Sequence, residues 1–341
     1  MKQSSKKILY VGNMLSAHGL SVTTIETLGA QLESCGYSFI YSSTKKPMLA
    51  RLMDMVLTLL KNRSVVDKVM IDTYSTKAFW YCYTISLLSR LFKIPYIPIL
   101  HGGGLPQRLK NQPISSRHVF SNSLLNISPS RYLQVAFKEH GYNSTYIPNN
   151  ISIEQYQFKE RRHCDPKLLY VRCFDRTYNP TMAVEVLALV KKRYPSTTLC
   201  MVGPDKDGSL KKCKDLTEKL GVDDSIRFTG KLSKQEWHKL SEEYSIFINT
   251  TNFDNMPVSI IEAMALGLPI VSTNAGGLPY LLEDGRDALL VEKGNADQMA
   301  VRILELLADD CKAHDLSLNG REKAESFDWN RVKKDWEQIL V

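Results

Sequence analysis

The sequence predicts an α/β protein built on parallel sheets, and three observations support this. The chain of 341 residues is 43% hydrophobic and 23% charged, which is enough apolar side chain to fill two cores of ordinary size. From residue 168 to residue 310, β-rich runs alternate at short spacing with amphipathic helical segments, and such alternation implies a parallel sheet with helices on both faces. The glycine-rich and polar motifs follow strands, at the edge of the sheet where ligands bind.

Two strands of the first half end in glycine-containing turns. The run ILYVG at 8–12 is a strand pattern that is followed by His18-Gly19 and then by a helical pattern. The run IPILHGGG at 97–104 ends in His101 and three glycines, where a side chain can face a ligand over exposed backbone. Each residue has a second interpretation, Gly19 as an ordinary turn and His101 as a structural histidine.

In the second half, a strand ends beside two arginines suited to phosphate. The run LLYVRCF at 168–174 contains Arg172, and Arg176 lies in the turn that follows. A guanidinium offers several donors and keeps its proton, as a phosphate clamp requires. A solvated salt bridge is the alternative for both. Helices are predicted over 179–194, 210–220, 235–244 and 297–307.

The segment 251–279 carries the most information about function. A buried strand pattern at 245–250 leads into polar turn residues, and Pro257 suits the first turn of a helix that opens near Val258. The free N–H groups of that helix form an electropositive socket for phosphate, and Glu262, just over one turn further on, is within reach of a ribose. The alternative is that Glu262 is a solvated helix residue.

The same segment ends in a second glycine motif. Gly267 terminates the helix, 269–273 is the next strand, and Gly276-Gly277 is expected to let backbone approach a ligand closely. A nucleotide diphosphate-sugar fits such a socket.

Asp254 and Glu262, eight residues apart, followed by Ala-Met-Ala and by GGLP at 276–279, resemble the signature of glycosyltransferase family 4. This resemblance implies the GT-B fold, in which two Rossmann-like domains with parallel sheets face each other across a cleft. It also implies a retaining reaction without a required metal, a first acid that contacts the donor sugar and a second that binds the donor ribose.

The resemblance assigns further roles. It implies catalytic roles for His101, Arg172 and Asp254, and donor binding by Gly19, Arg176, Gly203, Asn255, Met256, Pro257, Val258 and Glu262. Gly203 matches the family's glycine near the nucleobase. Two positions depart from the pattern: Asp254 stands where the family has Glu, and the turn 176–180 lacks the family's second cation, a lysine, for which Arg176 is the candidate substitute.

The resemblance also implies domain boundaries. PNN at 148–150 marks the hinge, so we predict an acceptor-binding domain over 1–150, a nucleotide-sugar-binding domain over 151–326 and a C-terminal helix over 327–341 that packs back on the first domain.

Positive charge is concentrated in the first domain. Residues 1–150 carry 17 Lys+Arg and 6 Asp+Glu, a balance of +11, whereas the remainder carries 27 and 30, or −3. Within this half, the segment 44–63 combines cations with many Leu and Met. It suits either a helix lying on an anionic bilayer or an ordinary buried helix with solvated ends.

Several other classes of protein are not supported. Seven scattered cysteines form no Cys-x-x-Cys motif, which is typical of reduced thiols in the cytoplasm. Neither a signal-peptide core nor a membrane-spanning stretch is present, so we expect a cytoplasmic protein, with attachment to the inner face of the membrane as an option. Asp205-x-Asp207 is interpreted as a solvated turn rather than a metal site, and no nucleic-acid-binding motif occurs.

The predicted function is a retaining transfer of a hexose-type sugar from a UDP- or GDP-sugar to a saccharide or lipid-linked acceptor in surface polysaccharide biosynthesis. Two alternatives remain: an inverting transferase or sugar-nucleotide epimerase on the same fold, and a partner subunit without donor chemistry. A dinucleotide-dependent oxidoreductase is disfavoured because no Gly-x-Gly-x-x-Gly follows an early strand.

Overall fold

A computed structural model describes residues 7–19 and 22–340. The chain divides into two compact units, of which the first ends at Ile147 and the second begins at Pro148. Each unit contains one six-stranded parallel sheet with helices packed on it.

The first unit has short strands joined by helices. Its strands are β1 (Lys7–Val11), β2 (Ser38–Ser42), β3 (Val66–Thr73), β4 (Tyr96–Leu100), β5 (Ile127–Ser128) and β6 (Thr145–Tyr146). Its helices are α1 (Thr24–Ser34), α2 (Met48–Asn62), α3 (Phe79–Leu91), α4 (Leu105–Asn111), α5 (Pro113–Phe120) and α6 (Arg131–Glu139). The strand order is β2-β1-β3-β4-β5-β6.

The second unit repeats this architecture. Its strands are β7 (Lys167–Val171), β8 (Thr198–Val202), β9 (Ile226–Gly230), β10 (Ile246–Asn249), β11 (Ile270–Thr273) and β12 (Leu289–Val291). Its helices are α7 (Pro180–Lys191), α8 (Ser209–Leu220), α9 (Lys234–Ser241), α10 (Val258–Ala265), α11 (Leu278–Leu281), α12 (Ala296–Ala308), α13 (Asp310–Glu325) and α14 (Trp329–Leu340). The strand order is β12-β11-β10-β7-β8-β9.

The second sheet is buried on both faces, as the near-continuous apolar strands predict. Along β7, Leu168 and Tyr170 pack into one apolar cluster with α7 and α12. Leu169 lies in the opposite cluster with α10. Because successive side chains point to opposite faces, this alternation fixes which residues can reach the sheet's carboxyl edge.

The strand order places the site. In the second sheet, β8 and β10 lie on opposite sides of β7, so the order reverses there. Such a switch point opens a crevice outside the carboxyl ends of the strands. Arg172 directly follows β7, and the polar turn that contains Asp254 follows β10.

The C-terminal helix α14 begins in contact with the start of the second unit. The Trp329 N–H donates to the Ile151 carbonyl at 2.8 Å, and the Asp328 carboxylate accepts from the Ile153 N–H at 3.1 Å. Trp329 and Trp336 are buried. The predicted packing of this helix on the first domain stays a prediction.

Among residues 7–19 and 22–340, no helix combines the length and the apolar character needed to cross a bilayer.

Candidate active site

The switch point of the second sheet holds an arginine–carboxylate pair. Arg172 donates through Nη2 to Asp254 Oδ2, and its guanidinium lies over the Tyr178 ring at 4.4 Å from the ring centroid. Arg172 Nε is buried without a hydrogen-bond partner. Two residues that are 82 positions apart in sequence therefore form one charged centre with a donor still unused.

The environment keeps this guanidinium charged. Burial lowers the pKa of Arg172, but the Asp254 carboxylate together with the neighbouring tyrosine and cysteine side chains outweighs that effect, and the net pKa lies above its ordinary value. The side chains of Arg172 and Asp254 retain 23% and 12% of their exposure. Solvent and small anions therefore have access to a positive charge that does not titrate.

The loop that carries Asp254 is held by its own backbone and by the glycine motif. Asp254 Oδ1 accepts from the Asn255 N–H at 2.8 Å, and the Asp254 carbonyl accepts from the Gly277 N–H at 2.8 Å. A Cβ on Gly276 would lie 2.3 Å from the Asp254 carbonyl oxygen, and one on Gly277 would lie 1.9 Å from the Asn255 carbonyl oxygen. These glycines therefore permit a close approach to the Asp254 loop, and their contact with a ligand stays a prediction.

Helix α10 begins where the sequence predicts. Pro257 is its N-cap residue in extended conformation, and the first backbone N–H groups of any helix lack acceptors within the helix. Met256 and Asn255 are buried just before it, and Asn149 Nδ2 donates to the Met256 carbonyl at 3.2 Å. The segment from Asn255 to Val258 thus directs a helix N-terminus toward the crevice end of β10.

Glu262 lies inside the protein. It is only 5% exposed, so the alternative of a solvated helix residue is wrong. Its Oε1 accepts from the Tyr156 hydroxyl at 2.8 Å and lies 2.7 Å from Lys234 Nζ. Burial raises the pKa of Tyr156 above its ordinary value, and Glu262 raises it further. Sequence reasoning missed Tyr156 and Lys234, because no spacing connects either residue to the acid.

Gly203 is required by packing against the arginine strand. Its φ is +152°, and a Cβ there would lie 2.1 Å from the Arg172 carbonyl oxygen. Its N–H donates to the Gly230 carbonyl at 2.9 Å. Gly203 therefore sets the spacing between the ends of β7 and β8, and its contact with a nucleobase stays a prediction.

Arg176 faces an acid rather than the Arg172 pair. Its side chain is 86% exposed, and its Nε lies 3.8 Å from Asp207 Oδ2. The other Asp207 oxygen accepts from the Ser209 N–H at 3.1 Å, and Asp205 Oδ1 accepts from the Gly208 N–H at 3.0 Å. Both carboxylates of the Asp-x-Asp run thus bind backbone at the start of α8.

A second cation lies near the Cys173 thiol, which follows Arg172 in the chain. Burial raises the pKa of the Cys173 thiol, and Lys206 and Arg172 partly oppose that shift. Lys206 lies between the two aspartates of the Asp-x-Asp run. Sequence reasoning considered that run only for metal binding and missed the lysine.

In the first unit, a buried carboxylate holds the predicted histidine. His101 follows β4, and its Nε2 lies 2.8 Å from Asp72 Oδ1. The Tyr10 hydroxyl donates to the same oxygen at 3.0 Å. Asp72 Oδ2 is buried without a partner, and a Cβ on Gly12 would lie 2.6 Å from it. Because a carboxylate accepts, Nε2 of His101 donates, which fixes the ring.

Sequence reasoning missed Tyr10 and Asp72, since each lies within a strand and no motif connects either residue to His101. Gly19 ends a short 3₁₀ helix with φ +79°, and its N–H donates to the Ser16 carbonyl at 2.9 Å. The backbone there requires the left-handed conformation that glycine tolerates. Its contact with a donor stays a prediction.

Comparison with solved structures shows which fold the chain has. The crystal structure of Anabaena HepE in complex with UDP is similar to this chain with a TM-score of 0.78 and 18% identity, covering 98% of this chain and 99% of that one. Together with the two parallel sheets, this likeness confirms the predicted GT-B fold.

The family follows from the sequence match. Residues 152–323, half of the chain, match the model of the family described as glycosyl transferases group 1. The chain belongs to this family, which confirms the predicted enzyme class.

Two curated relatives agree with this assignment. An uncharacterized glycosyltransferase of Methanocaldococcus jannaschii is 26% identical over 74% of this chain and 71% of its own length. A GDP-mannose-dependent alpha-(1-6)-phosphatidylinositol monomannoside mannosyltransferase of Mycobacterium tuberculosis is 27% identical over 46% of this chain and 41% of its own length. Against several curated relatives the matched stretch covers less than half of their length.

Proposed function

We propose that this protein is a retaining glycosyltransferase that moves a hexose-type sugar from a UDP- or GDP-sugar to a saccharide or lipid-linked acceptor in surface polysaccharide biosynthesis. The observation that carries this proposal is the unused Nε donor of Arg172, held beside Asp254 at the switch point of the second sheet. The two nucleotides are chosen because the HepE structure contains UDP and the mycobacterial relative uses GDP-mannose.

The difficult step is departure of the nucleoside diphosphate from the anomeric carbon. The bond between that carbon and the phosphate oxygen breaks, and negative charge grows on the leaving diphosphate. Arg172 stabilises this charge through donors that are already positioned, and loss of one such donor typically lowers a rate on the order of 100-fold. The backbone N–H groups at the start of α10 add partial positive charge in the same crevice.

Asp254 and Glu262 recognise the uncharged parts of the donor. Asp254, with the backbone that follows it, accepts from sugar hydroxyls. Glu262 already accepts from Tyr156 and Lys234 through Oε1, and its second oxygen is the acceptor that we assign to ribose. Gly203 lines the nucleobase, and His101 and Gly19 complete the donor contacts.

Retention of configuration requires attack from the face that the leaving group vacates. We assign the acceptor's proton to an oxygen of the departing diphosphate, while the acceptor oxygen bonds to the anomeric carbon on that same face. Proton and leaving group then end on one molecule, so this scheme needs no protein base and no metal.

The first experiment is a donor screen. Purified protein is heated with UDP, GDP and a set of their sugars, and a ligand that binds the folded state raises the melting temperature. The best donor is then incubated with saccharide and lipid-linked acceptors in EDTA, and proton NMR reads the anomeric configuration of the product. Retention with undiminished turnover in EDTA is the expected result.

Every other result of this experiment indicates a different function or mechanism. Inverted product indicates an inverting transferase, and an isomerised nucleotide sugar indicates an epimerase. Turnover that stops in EDTA and returns with Mg²⁺ refutes the metal-free scheme. Absence of stabilisation by every UDP and GDP compound indicates a partner subunit without donor chemistry.

A further inference from the structure

The first unit has a surface of exposed apolar side chains. On α2, Leu49, Met53 and Leu57 are 76%, 58% and 47% exposed and recur every four residues along one helix face. On α3, Trp80, Leu87 and Leu91 are 45%, 44% and 70% exposed at helical spacing. These six side chains define the apolar face that is discussed below.

The two stripes belong to adjoining helices. The Tyr81 hydroxyl of α3 donates to the Met48 carbonyl of α2 at 3.3 Å, and Arg51 of α2 lies over the Tyr81 ring at 5.8 Å. The crossovers from β2 to β3 and from β3 to β4 run in the same direction across the sheet. Right-handed crossovers therefore place α2 and α3 on one side of it.

The apolar side chains on these helices are not the ordinary scatter of a protein surface. Between residues 148 and 340 of the second unit, the strongly exposed ones are Leu220, Tyr280, Val301 and Leu318, which lie on separate elements. Large apolar patches rimmed by polar groups mark sites of contact with another surface, whereas single exposed residues need no explanation. The apolar face of α2 and α3 is of the first kind.

The segment that contains both helices carries a net positive charge. Between residues 44 and 120 the chain has 12 Lys+Arg and 3 Asp+Glu. The acids are occupied elsewhere: Asp54 accepts from the Ser42 hydroxyl at 3.0 Å, Asp67 accepts from the Lys7 N–H at 3.1 Å, and Asp72 is buried.

Several cations lie at the ends of the two helices. Arg51 donates to the carbonyls of Lys45 and Lys46, each at 2.8 Å, and so fixes the turn before α2 that carries both lysines. Lys61 lies at the last turn of α2 and Lys93 just beyond α3, and both are exposed.

We propose that the apolar face of α2 and α3 docks on the surface of an anionic lipid bilayer. Helices with an apolar stripe and flanking lysines insert the stripe at the boundary of headgroups and acyl chains, while the lysines pair with anionic headgroups. This segment has 12 cations and three acids, and each acid is hydrogen-bonded or buried. We therefore expect a negatively charged partner. This inference concerns attachment, and it does not depend on the donor or on the stereochemistry of transfer.

The test uses the full chain and two kinds of vesicle, phosphatidylcholine alone and phosphatidylcholine mixed with phosphatidylglycerol. We expect the protein to sediment with the phosphatidylglycerol vesicles and to be released in part by salt. Of the four tryptophans, Trp237, Trp329 and Trp336 are buried. Trp80 therefore reports insertion through a blue shift of emission and through quenching by brominated lipid, both of which disappear in Trp80→Phe.

Two variants separate the contributions. The first is a triple variant of the apolar stripe on α2, Leu49→Gln with Met53→Gln and Leu57→Gln. We expect it to lower vesicle affinity at least about tenfold at every salt concentration. The second is a triple variant of the lysines, Lys45→Gln with Lys46→Gln and Lys61→Gln. We expect it to lower vesicle affinity more than about tenfold at low salt and to make that affinity less dependent on salt than in the unchanged chain. The matched controls on the second unit are Leu220→Gln with Val301→Gln and Leu318→Gln, and Lys211→Gln with Lys212→Gln and Lys219→Gln.

The controls are expected to bind vesicles as the unchanged chain does, and circular dichroism and thermal melting verify that every variant is folded. The proposal is overturned by equal sedimentation with both vesicle types, or by an apolar variant that binds like the unchanged chain. It is also overturned if the unchanged protein is a dimer without lipid and the apolar variant is a monomer, since a second copy then covers the face.

Discussion

At the scale of single residues, the two acids of the candidate site in the second unit are already paired. Asp254 accepts from Arg172, and Glu262 is matched by Lys234 and Tyr156. Pairing stabilises buried charges that would otherwise lose hydration. A donor molecule must therefore compete for these hydrogen-bond partners or share them. Substitutions of the paired residues are expected to separate effects on donor binding from effects on turnover.

Glu262→Ala is expected to weaken nucleotide binding about tenfold to a hundredfold, because a charge-assisted hydrogen bond to ribose is lost. Calorimetry with UDP and GDP measures the change. Tyr156→Phe removes only a positioning hydrogen bond and is expected to weaken binding less. The exposed Glu218 on α8 offers a matched control, Glu218→Ala, and unchanged affinity in Glu262→Ala contradicts the ribose assignment.

Arg172→Ala is expected to lower turnover on the order of 100-fold while changing donor affinity much less, because its charge acts mainly as the diphosphate departs. Arg172→Lys keeps a charge but loses the fork of donors and is expected to recover only part of the rate. Initial rates at saturating donor, with the exposed Arg193→Ala as control, separate these effects. A variant with a normal rate and a raised KM indicates simple binding instead.

The missing family lysine can be located by comparing two cations. Lys206 influences the Cys173 thiol next to Arg172, whereas Arg176 lies against Asp207. We therefore expect Lys206→Gln to reduce turnover roughly tenfold or more, as loss of a charge near the diphosphate does, and Arg176→Gln to reduce it less. The reverse order in the measured rates assigns the second cation to Arg176.

At the scale of elements, the site depends on how closely two loops pack. The turn after β11 contains Gly276 and Gly277, whose lack of side chains lets it lie against the loop after β10. The N-terminus of α10 and the carboxylate of Asp254 are thereby fixed relative to each other. A change in this contact displaces the acid without altering any charged residue.

Gly276→Ala and Gly285→Ala form a matched pair that tests this contact. Both glycines have left-handed backbone conformations, with φ of +65° for Gly276 and +77° for Gly285. A Cβ on Gly276 would meet the Asp254 carbonyl, whereas a Cβ on Gly285 would meet nothing within 4 Å. Left-handed strain costs both variants about 1 kcal/mol, and overpacking adds roughly 1–3 kcal/mol for Gly276→Ala alone. Chemical denaturation measures the difference, and equal losses of stability and turnover contradict it.

At the scale of the whole molecule, burial sorts the seven cysteines into classes. Cys311 is exposed, Cys35 and Cys173 are intermediate, and the other four are buried. Burial raises the pKa of Cys82, Cys164 and Cys213 to about 12 each, so their reactive thiolates are scarce at neutral pH.

A thiol titration follows from this distribution. Ellman's reagent is expected to react fast at Cys311, more slowly at Cys35 and Cys173, and at the buried four only in denaturant. Cys311→Ser removes the fast phase. Fast reaction of more than one thiol in the native protein, or a melting temperature that falls on adding reductant, contradicts the expected fold of reduced cysteines.

Much of the second unit could be predicted from local pattern. The strand before Arg172 and the helix that opens at Val258 are confirmed within a residue or two, because apolar runs, proline at a helix start and glycine at its end act over a few residues. The packing of Gly276-Gly277 against the Asp254 loop could not be predicted in this way. A glycine in the sequence can indicate that the backbone packs closely, but it does not show which neighbouring segment packs there.

The sequence by itself determined the alternation of strands and helices through its periodicity. The resemblance of short motifs to a known family indicated the GT-B class and the family. Only the tertiary structure decided that Tyr156 and Lys234 hold Glu262, that Asp72 holds His101, and that Arg172 meets Asp254. These partners are 28 to 106 residues apart. Strand order brings His101 to Asp72 and Arg172 to Asp254, and helix packing brings Tyr156 and Lys234 to Glu262. No local pattern specifies either arrangement.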